Sequence, residues 1–325
     1  MQPCRRIAPG LSFLVLLLAG CSSDRRHAIE VTNPAVTTPP RTAAPGQDDE
    51  VVSPVLQEMN NQLATRGLGR VHVLRAELVG GFTSEHKGIT IIDNDRDKQA
   101  PAQFVPGDAR RSADGTKITY LVDLSDSSPN GGLTSAQTAA AIDRAMTTWN
   151  AVDCVNIPIV KRADSGADPD LADGLLGFGT VGTPFSADIV HAGWMPPAFF
   201  DRIFPGATNI LAVTFTFALF DDASGNDINN DRKLDVGWRE IYYNNLFAWG
   251  INADPPVADV ETVALHEAGH GLSQNHFGLI FENHNGDLQF APFSLMNATI
   301  FGQNHVLQGS DVGGHCSIWG NWPNK

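Results

Sequence analysis

The chain has 325 residues, 42% of them hydrophobic, and its 36 acidic side chains outnumber 22 Lys and Arg for a net charge of −14. With no basic cluster along it, that balance excludes a nucleic-acid partner, which requires a positive face for its phosphates. The length suffices for one sizeable catalytic domain and a smaller appendage.

At the N-terminus, Arg5 and Arg6 precede an apolar run from Leu11 to Leu18. The run is too short to span a bilayer as a helix, which takes about 20 residues, and reads as the hydrophobic segment of a signal peptide. It ends in Leu18-Ala19-Gly20-Cys21, which resembles a bacterial lipoprotein box. The resemblance implies that residues 1–20 are removed as signal peptide and that lipid is attached to the Cys21 sulfur. Ser22 and Ser23 follow, with no aspartate beside the cysteine; by the same resemblance the protein is anchored in the cell envelope at the outer membrane. Residues 21–50 are poor in large apolar side chains and carry Thr37-Thr38-Pro39-Pro40, the composition of a flexible tether.

Apolar content returns over residues 51–115. Val55 to Leu63 has helical spacing, and Val71–Val79 and Ile89–Ile92 have the pattern of strands. This stretch reads as a small α/β segment ahead of the main domain, either a lasting subdomain or a removable pro-segment.

The main domain is expected over residues 116–325. Lys117–Asp123 predicts a first strand, and Thr134-Ser135-Ala136-Gln137 is a capping-box pattern opening a helix with apolar residues at Ala139, Ile142, Ala145, Met146 and Trp149. Strands are predicted at 155–160, 187–192, 210–217 and 239–243. Between the last two, Asp227, Asn229, Asp231 and Asp235 put oxygen side chains at alternate positions and then at a ninth. That spacing resembles the start of an EF-hand-type loop and predicts calcium, although Arg232 replaces its glycine and Trp238 its closing acid. An acidic solvated turn is the alternative. Asp259 is placed to cap the next helix.

That helix carries His266-Glu267-Ala268-Gly269-His270, with His276 six residues on. Histidines four apart share one helix face, so two ring nitrogens can reach one metal ion. The glutamate stands beside the first of them, where it can take a proton from a metal-activated water. A third histidine completes a three-nitrogen set with a fourth position open, the arrangement of a catalytic rather than a structural zinc site. Ser294-Leu295-Met296-Asn297 follows after a loop.

These parts, in this order, resemble the metzincin zinc peptidases, whose pattern is H-E-x-x-H-x-x-G-x-x-H and a Met-turn. The resemblance implies zinc on His266, His270 and His276, Glu267 as general base and acid, and Met296 in the Met-turn beneath the metal. Ser273 stands where the family has the glycine that ends the helix, and Ala298 stands where some branches have a tyrosine ligand; the latter makes the chain more similar to the matrixins. Residues 307–320 resemble the closing helix of that branch. The implied fold is α+β: a twisted mixed sheet, the zinc-binding helix, the Met-turn and a C-terminal helix.

Of four cysteines, Cys4 leaves with the signal peptide and Cys21 carries lipid, so Cys154 and Cys316 either pair or remain two buried thiols. The expected activity is hydrolysis of peptide or protein substrates by a zinc endopeptidase. The rival readings are a calcium-stabilised surface binding protein without catalysis, and a zinc amidase acting on cell-wall peptides. His305 or His315 is a candidate for lining a cleft, and His191 reads as a core residue.

Overall fold

Strands whose side chains are nearly all buried need cover on both faces, and the longest strands here are of that kind. The computed structural model describes residues 54–81, 89–92, 100–112, 115–206, 209–220, 225–282, 284–285 and 288–324. The expected signal peptide, Cys21 and the tether lie outside these residues.

In chain order the elements are α1 (Pro54–Thr65), β1 (Val71–Gly80), β2 (Ile89–Ile92), β3 (Ala102–Gln103), β4 (Ile118–Val122), α2 (Ser135–Asn150) and β5 (Ile159–Lys161). They continue with α3 (Ala172–Leu176), β6 (Ile189–Met195), α4 (Pro197–Ile203), β7 (Ile210–Leu219), β8 (Leu234–Asn244), β9 (Trp249–Gly250) and β10 (Ala258–Asp259). The last are α5 (Val260–Gly271), β11 (Leu279–Glu282), β12 (Leu288–Ala291) and α6 (Gly309–Trp319). The result is a mixed α and β architecture built on one eight-stranded sheet in the order β2-β1-β7-β8-β6-β4-β5, with β3 paired to β8. β8, β6, β4 and β5 run parallel to one another, whereas β7, β1 and β2 join through antiparallel pairs.

Two apolar cores follow from the period-2 alternation of the strands. On one face Leu74, Val79, Ile241 and Tyr243 meet α2, α5 and Trp319 of α6. On the other Val73, Leu78, Phe215, Trp238 and Tyr242 meet α1, α3 and α4. Local signals set the helix ends as the sequence predicts. Thr134 and Gln137 form a capping box at α2, and Asp259 accepts the Thr262 N–H at 2.9 Å to cap α5.

A boundary at residue 115 does not divide this structure. β1 lies inside the sheet, paired with β7 from Val71↔Leu219 to Gly80↔Ile210, and residues 50–325 form one unit. The local pattern showed a helix and strands ahead of the main domain; it could not show that the pairing partner of β1 lies about 140 residues downstream. Cys154 and Cys316 are paired, with Cα atoms 5.6 Å apart across a separation of 162 residues. In the chain-entropy account a closure of that length stabilises by roughly 5 kcal/mol.

Beneath α3 lies a buried acidic cluster. Glu240 accepts the Leu171 and Ala172 N–H groups at 3.0 and 2.9 Å, and Tyr242 donates to Asp170 at 2.8 Å and lies 3.0 Å from Glu240. Burial, reinforced by the charges of Glu240 and Asp173, pushes the Asp170 carboxyl well above the carboxylate range. Burial also raises Glu240 and Asp173. The folded state therefore keeps protons that the unfolded chain releases above about pH 4, so stability falls as pH rises from there. Asp170→Asn is expected to raise the urea midpoint at pH 8 and to leave it nearly unchanged at pH 4. Equal shifts at both values would show that Asp170 is ionised in the fold.

Candidate metal centre

The site is assembled on α5, whose twelve residues are all buried. A helix that is buried all round must be held from several sides. Trp149 of α2 donates its indole N–H to the Leu265 carbonyl at 2.8 Å. Gly269 admits the turn of residues 294–297 against the helix: a Cβ there would lie 2.3 Å from Met296 Sδ. Met296 is fully buried and its turn is fixed by Asp311 of α6, which accepts the Leu295 and Met296 N–H groups at 3.0 and 3.2 Å and the Ser294 hydroxyl. The same turn orients the chain after His276, because Phe277 N–H donates to Met296 O at 2.7 Å.

α5 ends in a Schellman motif. Gln274 N–H bonds Gly269 O and Ser273 N–H bonds His270 O, both at 2.9 Å, with Ser273 in the left-handed region at φ 71°. A side chain there costs roughly 1–2 kcal/mol relative to glycine, and the structure supplies a compensation. The fully buried Ser273 hydroxyl lies 3.0 Å from Arg239 Nη1, which also donates to Gly271 O at 2.8 Å. Arg239 reaches from β8, where its Nε donates to Thr216 and its Nη2 to Ala102 O, each at 3.0 Å. Arg239→Met would leave these acceptors unpaired inside the protein, at about 1–3 kcal/mol for each that finds no water. The expected loss of stability is about 3–5 kcal/mol, read as a lower urea midpoint, with weaker zinc binding. An unchanged midpoint would remove the bracing role assigned to it.

The chain turns back at Ser273, and His276 returns to the end of the helix. His266 Nε2 lies 3.1 Å from His270 Nε2, which lies 3.2 Å from His276 Nε2. His266 Nδ1 faces Leu295 O at 2.7 Å and His270 Nδ1 faces Gln274 O at 2.8 Å. Carbonyl oxygens only accept, so both Nδ1 atoms carry the proton and both Nε2 atoms present lone pairs to one another. No proton of the neutral rings lies between those lone pairs, and a cation shared by them removes the repulsion. Nitrogens 2.0–2.1 Å from a tetrahedral zinc are about 3.3 Å apart, close to the spacing found. Among the described residues these three histidines are the single group of His, Cys, Asp or Glu that could hold one ion, their ligand atoms all within 4.8 Å of one another.

The electrostatics favour neutral rings at His266 and His276 and act the other way at His270. Burial, then the neighbouring His270, pulls His266 down to about 3, and burial with the other two rings holds His276 well below its ordinary value. Burial also acts against the His270 cation, but the Glu77 carboxylate outweighs it and holds that ring above the usual value. Glu77 is itself buried, which alone would raise it; Arg75 and His270 reverse this and hold it at about 2. Glu267 is fully buried, and burial pushes it up to about 7 against the opposing effects of His270 and Thr214. Its Oε2 accepts from the Thr214 hydroxyl on β7, while Oε1 is buried without a hydrogen-bond partner among the described residues.

The other expected site residues fare differently. Asp227, Asn229, Asp231 and Asp235 form a turn held by its own bonds. Asp227 accepts the Asp231 and Arg232 N–H groups at 3.0 and 2.8 Å, and Asp231 accepts from Lys233 N and Asn229 Nδ2 at 2.8 and 2.9 Å. Asn229 Oδ1 and Asp235 Oδ1 keep no partner among the described residues. Arg110, however, lies 2.5 Å from the Asp235 carboxylate, so a divalent cation there would meet a guanidinium. Glu240, the next acidic residue along β8, faces the start of α3 instead. His315 is buried between Trp149 and Trp319 rather than lining a cleft, and His305 bonds Asp259 at the far end of α5. His191 lies in the core with Nδ1 2.7 Å from the Tyr243 hydroxyl.

Glu77, Thr214, Arg239 and Asp311 were not singled out from the sequence. The available signal was a charge or hydroxyl in an otherwise apolar strand, as in Arg75 and Glu77 within Val71–Val79, which marks a buried polar group in need of a partner. Compared with known proteins, the chain matches no family model and no curated protein.

Proposed function

We propose that the protein is a zinc-dependent endopeptidase of metzincin type, similar to the matrixins, tethered to the bacterial cell envelope through lipid on Cys21. What carries the reading is the convergence of three Nε2 atoms, 3.1 and 3.2 Å apart, beside a buried glutamate with one oxygen unpartnered. His266, His270 and His276 would hold the ion. When bound, zinc supplies Lewis acidity, polarising a carbonyl and lowering the pKa of water. Glu267, held near neutral pH by burial, accepts the water proton on Oε1 and delivers it to the leaving amine. Thr214 fixes the other oxygen, so the carboxylate meets its substrate in one orientation. Calcium at Asp227, Asn229, Asp231 and Asp235 is a separate proposal: Asn229 Oδ1 and Asp235 Oδ1 have no partner among the described residues, whereas Arg110 lies 2.5 Å from the Asp235 carboxylate. Among the described residues no helix is long and apolar enough to cross a membrane.

The full burial of His266, His270 and Glu267 favours a second reading, a binding protein that keeps the centre without turnover. Zinc per chain and cleavage of an unbiased peptide library, with and without chelator, separate the two. One zinc with chelator-sensitive cleavage supports the peptidase, and one zinc without cleavage supports the binding protein. No zinc at neutral pH overturns both. Product analysis on cell-wall peptides distinguishes an endopeptidase from an amidase.

A further inference from the structure

On the face of the sheet that supports α5, β1 presents two charged side chains. Arg75 and Glu77 are 3% and 2% exposed, and Arg75 Nη2 donates to Glu77 Oε1 at 2.9 Å. The register sets Glu77 opposite Thr214, whose hydroxyl holds Glu267. One row of the sheet thus touches two functional residues of the helix above it. Glu77 Oε1 lies 3.2 Å from His270 Nδ1, the nitrogen that also faces Gln274 O at 2.8 Å. Two acceptors on one N–H leave the ring a single tautomer, with Nε2 bare, and a carboxylate there raises the basicity of the opposite nitrogen. Arg75 continues to Asn275 Oδ1 at 2.6 Å, beside His276.

We propose that Glu77 is a positioning residue of the metal centre, and that the segment carrying β1 is therefore a permanent component of the site rather than a detachable cover. The inference rests on the zinc reading above. A carboxylate behind a histidine ligand fixes the ring before the ion arrives, and its loss typically lowers metal affinity 10–100-fold.

The test uses the full chain, stripped of metal, as wild type and Glu77→Gln. Zinc affinity is measured by competition with a chromogenic chelator, and the visible spectrum of the cobalt(II)-loaded protein reports the ligand field. The expected result is one tight zinc in wild type and about 10–100-fold weaker binding in Glu77→Gln, with shifted cobalt bands and an apo-protein that still unfolds cooperatively. A role limited to the Arg75 ion pair would lower the apo unfolding midpoint and move neither affinity nor spectrum. Equal affinities and identical spectra overturn the inference while leaving the zinc reading intact; failure of wild type to bind zinc overturns the zinc reading itself, and this inference with it. Should Glu77→Gln fail to fold, Arg75→Met with Glu77→Gln removes the charge pair as a unit, and the same comparison decides.

Discussion

Replacing Glu267 by glutamine is expected to lower peptide cleavage by roughly 10²–10⁴-fold, the usual contribution of a positioned acid–base group, while one zinc per chain is retained. The amide keeps the size of the carboxylate and can still meet the Thr214 hydroxyl, but it cannot take a proton. His266, His270 and His276 bond through carbonyls and rings that the substitution does not touch, so metal content separates loss of chemistry from loss of site. Steady-state kinetics should show the fall in kcat rather than in KM. Cleavage by Glu267→Gln at the wild-type rate would remove the proposed base, and loss of zinc would place Glu267 in the structure of the site instead.

Deleting the chain up to residue 115 is expected to abolish folding and zinc binding rather than to release an active enzyme. The deletion removes Val55, Leu56, Met59, Leu63, Val71, Val73, Leu74, Leu78 and Val79, all buried. At about 1.5–3 kcal/mol each, their burial contributes roughly 14–27 kcal/mol before entropy is counted, against a net stability of about 5–15 kcal/mol for a domain. It also bares the ten-residue edge of β7, an open template for aggregation, and strips His270 of its carboxylate. Far-UV circular dichroism and zinc content of a chain beginning at residue 116 are the measurements. A folded fragment with one zinc would restore the reading of residues 51–115 as a separate pro-segment.

The proposed chemistry was legible along the sequence because its residues lie close together in the chain. His266 and His270 share a face by helical period, Asp259 and Thr134 cap their helices through atoms three residues away, and each needs no distant partner to be recognised. The position of Met296 beneath α5 was implied by resemblance; the reason it fits, a missing Cβ at Gly269, appears when the two segments are brought together. Ser273 looked like a strained substitute for glycine, and the structure places it at φ 71° with Arg239 of β8 on its hydroxyl. The acidic turn at 227–235 is read as a calcium loop from spacing alone, which records which oxygens are close in sequence. Spacing cannot record that Arg110, more than 100 residues away, has reached one of them.

The sequence by itself determined the main helix and strand segments, though not α3, α4, β3 or β9 to β12, together with the capping of α2 and α5 and the three histidines and glutamate to which the proposed chemistry is assigned, since these depend on contacts within a few residues. Only the tertiary structure decided that β1 pairs with β7, that Glu77 and Thr214 thereby stand under His270 and Glu267, and that Cys154 meets Cys316. Thr214 and Glu267 are 53 residues apart and the partners in the other pairs more than 100, and a period of 2 or 3.6 fixes which face a side chain takes without fixing what it will face.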